Sequence, residues 1–187
     1  TGGGFHDSWS AHQLQQSYLL GPSEAAEKVF KGAHCPSNAP VKKYDVHAIN
    51  VEITLNQWGD YYPGYTFALE EDIERIRAEE KKNEKARESD IDPGAVSNGL
   101  QGDAIQPLVI RANQGDCVRI HFSNDLEDED AGFQVNGSAM IINSSGLPAS
   151  AASAGAITVA GESQDFEWMI PIDEQEGGHQ IQSHAGR

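Results

Sequence analysis

Alternation of apolar and polar positions is clearest in KKYDVHAINVEITLN, residues 42–56. Tyr44, Val46 and Ala48 alternate with polar residues, and Val51, Ile53 and Leu55 then do so in the opposite phase. A long strand with a bulge near Asn50 is expected, because one inserted residue moves the apolar set to the other face. WGDYYPGYTFAL, 58–69, reads as turn-rich and aromatic. The strongest helical period lies in EEDIERIRAEEKKNEKARESD, 70–90, where Leu69, Ile73 and Ile76 form a short stripe and Glu71 stands four residues before Arg75. The stripe stops at Ile76. Beyond it the helix is expected to be solvated all round and to fray, its charges forming a wet surface.

The pattern then turns to short strands. PLVIRANQGDCVRIHFSNDL, 107–126, predicts two strands around NQGD, with Leu108 and Ile110 in the first and Val118, Ile120 and Phe122 alternating in the second; Cys117 is out of phase with them. A polar loop (EDEDAG), a short strand (FQVNG) and a Ser/Ala/Gly-rich stretch at 144–156 follow. AITVAGESQDFEWMIPID holds a last strand pair, in which Phe166, Trp168 and Ile170 alternate, and IQSH comes after the EQEGG turn. Many short strands with Gly-rich turns indicate an all-β sandwich. Residues 1–40 show little period and predict an extended arm, with one helical stretch in SEAAEKVFKG, capped by Ser23 and stopped by Gly32. The expected organisation is an arm over 1–40 and a sandwich domain over 41–187, with a helical insertion at about 69–100.

Charge narrows the partners. Among 187 residues, 29 are acidic and 13 basic, a net −16 that repels nucleic acid and anionic lipid surfaces. No apolar run approaches the roughly 20 residues of a membrane span. The chain opens on TGGGFHDSW, which reads as a processed product and makes export an expectation. Its two cysteines, Cys35 and Cys117, form either a disulfide, for which the chain-entropy model gives roughly 4–5 kcal/mol, or two buried thiols.

The order of segments resembles the first cupredoxin domain of a multicopper oxidase. The matching pieces are QPLVIRANQGDCVRIHFSNDL, FQVNG, TVAGESQDFEWMIP and EGGHQIQSHAGR, in that order. The resemblance covers about 44–187. With its helical insertion it is similar to the long ceruloplasmin-like and bacterial manganese-oxidising members. It implies a cupredoxin-like Greek-key sandwich, one whose last strand or strands would come after Arg187.

The family's copper ligands come from His-x-His-Gly and His-Ser-His motifs, which hold part of a trinuclear copper cluster. Here the first is Gln134-Val135-Asn136-Gly137 and the second is Gln182-Ser183-His184. One imidazole, His184, stands at a position the family uses for copper. Amide oxygens are poor substitutes for the directed nitrogen donors Cu(II) favours. The expected outcome is a hydrogen-bonded polar cluster of Gln134, Asn136, Gln182 and His184, with His184 and His179 as candidates for a weak single-ion site, Asn136 beside them. A blue-copper site fails on spacing. Cys117 and His121 would lie about 13 Å apart along one strand face, and His34-Cys35 lies in the arm.

Other signals carry less. Asn136-Gly137-Ser138 and Asn143-Ser144-Ser145 fit the glycosylation sequon, EDEDAG lacks calcium-loop spacing, and His6 and His12 lie in the arm. No nucleotide-binding or nucleophile-elbow motif occurs. The resemblance implies the N-terminal part of an oxidase that oxidises Mn(II), Fe(II) or another one-electron donor with dioxygen. This part would be mainly structural, with copper in the parent oxidase and the remaining cupredoxin domains as partners, in a secreted, periplasmic or cell-surface setting. The competing expectation is a non-enzymatic extracellular assembly subunit completed by a partner's strand.

Overall fold

A 14-residue strand, β1 (Val41–Thr54), organises the molecule. The computed structural model describes residues 34–56, 58, 60–88, 102–149 and 156–183, all within one compact unit, Gly32–Arg187. The helix expected at 23–32, most of the arm, and His6, His12 and His184 lie outside the described residues. After β1 come β2 (Tyr61–Leu69), helix α1 (Glu70–Glu88), β3 (Cys117–Asp125), β4 (Ala131–Gly132), β5 (Gln134–Val135), β6 (Ile141–Ile142), β7 (Ile157–Thr158), β8 (Ser163–Met169) and β9 (Ile181–Gln182). One five-stranded sheet runs β2-β1-β3-β8-β6, and β4-β7 and β5-β9 form two small sheets. Among the described residues this is an all-β sandwich with one helix.

The two phases of β1 do not come from a bulge. Its register with β2 runs unbroken from Val46↔Leu69 to Thr54↔Tyr61, and with β3 from Val41↔Cys117 to Ile49↔Asp125. The strand instead serves two cores. Val46 and Ala48 enter the main one, with Val118, Ile120, Phe122, Phe133, Val135 and Phe166. Ile49 and Val51 enter a second one, with Ala68 and Ile76, beneath α1. A strand buried on both faces loses simple alternation.

β2 replaces the turn-rich segment expected at 58–69. It tolerates Pro63 because it is an edge strand, where a missing N–H costs no ladder bond. Leu108 and Ile110 form no strand, yet pack part-buried against the main core. The expected last strand pair is no hairpin. β7 pairs with β4, and β8 with β3 and β6, after a turn at Gly161 with φ 79°.

The charged half of α1 is not solvated all round: Lys81, Lys82, Glu84, Lys85 and Glu88 are exposed, but its other side faces β1. β3 leaves β1 after Ile49↔Asp125, so the next backbone groups of β1 lose their strand partner. Side chains of α1 take its place. Arg77 donates to the Asn50 carbonyl at 2.8 Å, Glu80 accepts the Glu52 N–H at 2.8 Å, and Arg77 and Glu80 pair at 2.7 Å. Further along, Asn83, only 1% exposed, donates to the Thr54 hydroxyl, and Arg87 pairs with Glu52 while its guanidinium lies over the Tyr61 ring. Near the start of α1, Arg75 pairs with Asp72 rather than with the expected Glu71.

Glu80→Ala strips the Glu52 N–H of its acceptor and should cost about 1–3 kcal/mol. Glu80→Gln keeps an acceptor oxygen and should cost less. Urea midpoints of the two variants check this ordering.

Candidate functional site

The two segments that the resemblance matches to ligand motifs meet. Gln134 and Val135 in β5 stand opposite Gln182 and Ile181 in β9. Val135 faces the main core with Ile181 packed against it, so the alternate residues Gln134 and Gln182 share the other face. The pairing continues into the next turn, where the Asn136 N–H donates to the Gln180 carbonyl at 2.9 Å. Gly137, at φ 73°, then turns the chain, and the Ser138 N–H closes the turn on the Val135 carbonyl at 3.2 Å.

His179 sits beside that turn. Its Nδ1 lies 3.1 Å from the Asn136 carbonyl and its Nε2 lies 3.6 Å from Glu174 Oε1. Its ring stands edge-on to Trp168, centroids 5.7 Å apart. Gln182 Nε2 donates to Gln180 Oε1 at 3.0 Å, and Ser183 Oγ accepts the Gly132 N–H at 3.2 Å.

Gln134, Asn136, His179 and Gln182 are thus neighbours, joined mainly through backbone. Asn136 contributes its carbonyl and N–H, and Gln182 turns to Gln180. Glu174, which no motif singled out, is the acidic partner of His179.

This donor set does not fit a copper cluster. Among the described residues it offers amide groups and one imidazole, whose two nitrogens face a backbone carbonyl and a carboxylate. Such a set lacks the several nitrogen donors a Cu(II) cluster requires.

A second constellation lies on the other face of the large sheet, where Cys35 and Cys117 form a disulfide. Cys117, Arg119, His121 and Ser123 alternate with the core residues of β3, so they share that face. Glu167, directly opposite Arg119, is buried there. It accepts from the Cys35 N–H at 2.6 Å and from Arg119 Nε at 2.9 Å, and His34 Nδ1 lies 3.3 Å away. Ligand atoms of Cys35, Cys117 and Glu167 gather within 4.8 Å. The disulfide consumes both thiolates, so the group is a structural clasp and not a metal centre. The pair of cysteines offered the disulfide as one of two alternatives, and the out-of-phase position of Cys117 hinted at its face; Glu167 and Arg119 had no signal in the sequence.

Burial alone would raise the Glu167 pKa. Donation from the Cys35 N–H and from Arg119, the Arg119 charge, and the His34 contact outweigh it and hold the carboxyl below its ordinary 4.5. Asp116, in the turn before β3, is held below its ordinary 3.8, chiefly by the Asn113 N–H, against burial and with help from Lys42. Both are depressed carboxyls. Their contribution to stability is present above these ordinary values and is lost as pH falls through the lower, folded ones. The stability deficit of Glu167→Gln should therefore be largest near neutrality and shrink on acidification below 4.5. Denaturation midpoints of both chains across that range check it.

No protein-family model and no curated protein matches the chain. Among solved structures it is similar to a multi-copper oxidase from Pseudomonas Thermotolerans, with 17% identity, 79% of this chain and 26% of that chain covered, and a TM-score of 0.47. The chain thus spans about a quarter of that oxidase's length. At this identity and score the likeness carries no functional argument.

Proposed function

We propose that the chain is a cupredoxin-like part of a multicopper oxidase that has lost its own copper ligands and serves a structural role. The observation that carries this reading is the β5–β9 pairing. Two motifs that resemble the family's ligand segments, 45 or more residues apart in sequence, stand side by side, with Gln134 opposite Gln182 where imidazoles would be needed. The segment order read from the sequence supports it, as does the sandwich. The disulfide supports an oxidising setting outside the cytosol. Copper, dioxygen chemistry and the electron donor, Mn(II), Fe(II) or another, would then belong to other domains of the parent protein.

Restoring the imidazoles tests the assignment of these positions. Gln134→His, Asn136→His and Gln182→His together should add bound Cu(II) beyond whatever the unmodified chain takes up, because nitrogen donors would converge where the strands meet. Equilibrium dialysis with copper analysis gives the count. A folded triple variant with no added copper would mean that these are not ligand positions.

A further inference from the structure

We propose that opening the Cys35–Cys117 bond turns the clasp into a Zn(II) site, with Cys35 Sγ, Cys117 Sγ, a Glu167 carboxylate oxygen and His34 Nδ1 as its four donors. The site goes beyond the proposed function and does not depend on it.

The donors already converge. Those of Cys35, Cys117 and Glu167 all lie within 4.8 Å of one another. His34 Nδ1 lies 3.3 Å from Glu167 Oε1. Donors about 2.0–2.3 Å from a tetrahedral zinc stand roughly 3–4 Å from each other. Once the bond opens, the two sulfurs need only part into that range, and Cα atoms 5.8 Å apart allow this by side-chain rotation. An ion between His34 and Glu167 would take the place of the proton they now share. Reduction alone would free the segment of His34 and Cys35 from β3, and the ion would tie it back.

Charge favours the ion. Cys117 and Glu167 are buried. Two thiolates and a carboxylate carry three negative charges, which a buried site tolerates only when they are matched. The ion answers two of them. Arg119, whose Nε lies 2.9 Å from Glu167 Oε2, answers the third. Sulfur, nitrogen and oxygen donors in a closed set of four suit Zn(II). His34 is exposed and forms the entry side. The neighbouring imidazoles His47 and His121 are turned to Asp125 at 2.6 Å and Asp165 at 2.7 Å and take no part.

The opening step needs a dithiol reductant. Its thiolate attacks the sulfur of Cys35, which is less buried than Cys117, and Cys117 leaves as a thiolate. The reductant's second thiol then releases Cys35, and the reductant ends as a disulfide. Zn(II) binds both cysteine sulfurs as thiolates, and their two protons pass to solvent.

Co(II) and Zn(II) are the probes, applied to the full chain without oxygen. The reduced chain should bind one equivalent of Co(II) with a thiolate-to-cobalt charge-transfer band, which Zn(II) removes by displacement. The oxidised chain and Cys35→Ser/Cys117→Ser should show no such band. His34→Gln and Glu167→Gln should each weaken binding at least about 10-fold, the least that loss of even an outer partner costs. His121→Gln should leave it unchanged. Far-UV circular dichroism reports folding, and His34→Gln, at an exposed position, decides if Glu167→Gln does not fold. A reduced chain that is unfolded without metal should regain its native spectrum with one equivalent of Zn(II). Failure to regain it would overturn the proposal. So would a folded reduced chain without the stoichiometric band, or an affinity unchanged in His34→Gln.

Discussion

Reducing the Cys35–Cys117 bond should lower the unfolding free energy by about 4 kcal/mol, from the loop of 82 residues that it closes. Two terms act in the same direction. The unfolded chain gains freedom. In the folded chain the segment carrying His34 and Cys35 is released from β3, and buried Glu167 loses the Cys35 N–H as a fixed donor. Urea midpoints with and without reductant measure the effect, and the paired variant Cys35→Ser/Cys117→Ser should match the reduced protein. An unchanged midpoint would mean that Glu167 and Arg119 hold the segment unaided.

Phe122→Ala should cost about 3–5 kcal/mol. Phe122 is fully buried at the centre of an aromatic group, 5.7 Å from Phe67, 5.4 Å from Phe133 and 6.3 Å from Phe166 between ring centroids. These rings come from β2, β3, β8 and the residue between β4 and β5, so the group joins the large sheet to the opposing layer. Truncation leaves a cavity that four separate elements would have to close. Ile172→Ala, at a residue 81% exposed, should change stability by less than about 0.5 kcal/mol. Chemical denaturation of both variants checks the contrast.

What the sequence revealed and what it hid have physical causes. β3 and β8 were legible because one face of each meets the main core and the other is largely polar, which leaves alternation intact. β1 was legible as a strand but misread as bulged, because its apolar residues serve two cores on opposite faces. The far half of α1 was misread because its partners are polar. Arg77 and Glu80 satisfy backbone groups of β1, and hydrophobic periodicity carries no record of such contacts. β2 was hidden by Gly64 and by Pro63, which an edge strand accommodates.

At the candidate site, motif order anticipated that Gln134 and Gln182 would be neighbours. It did not anticipate Glu174 beside His179, nor the carboxylates Asp125 and Asp165 beside His47 and His121. Those partners come from strand register and from a loop of their own, and short-range spacing does not encode either.

The central claim is that this cupredoxin-like chain lacks a copper cluster of its own. Native mass spectrometry with elemental analysis, on the intact chain loaded with Cu(II), tests it most directly. The account predicts at most one copper per chain. Three coppers per chain would contradict it.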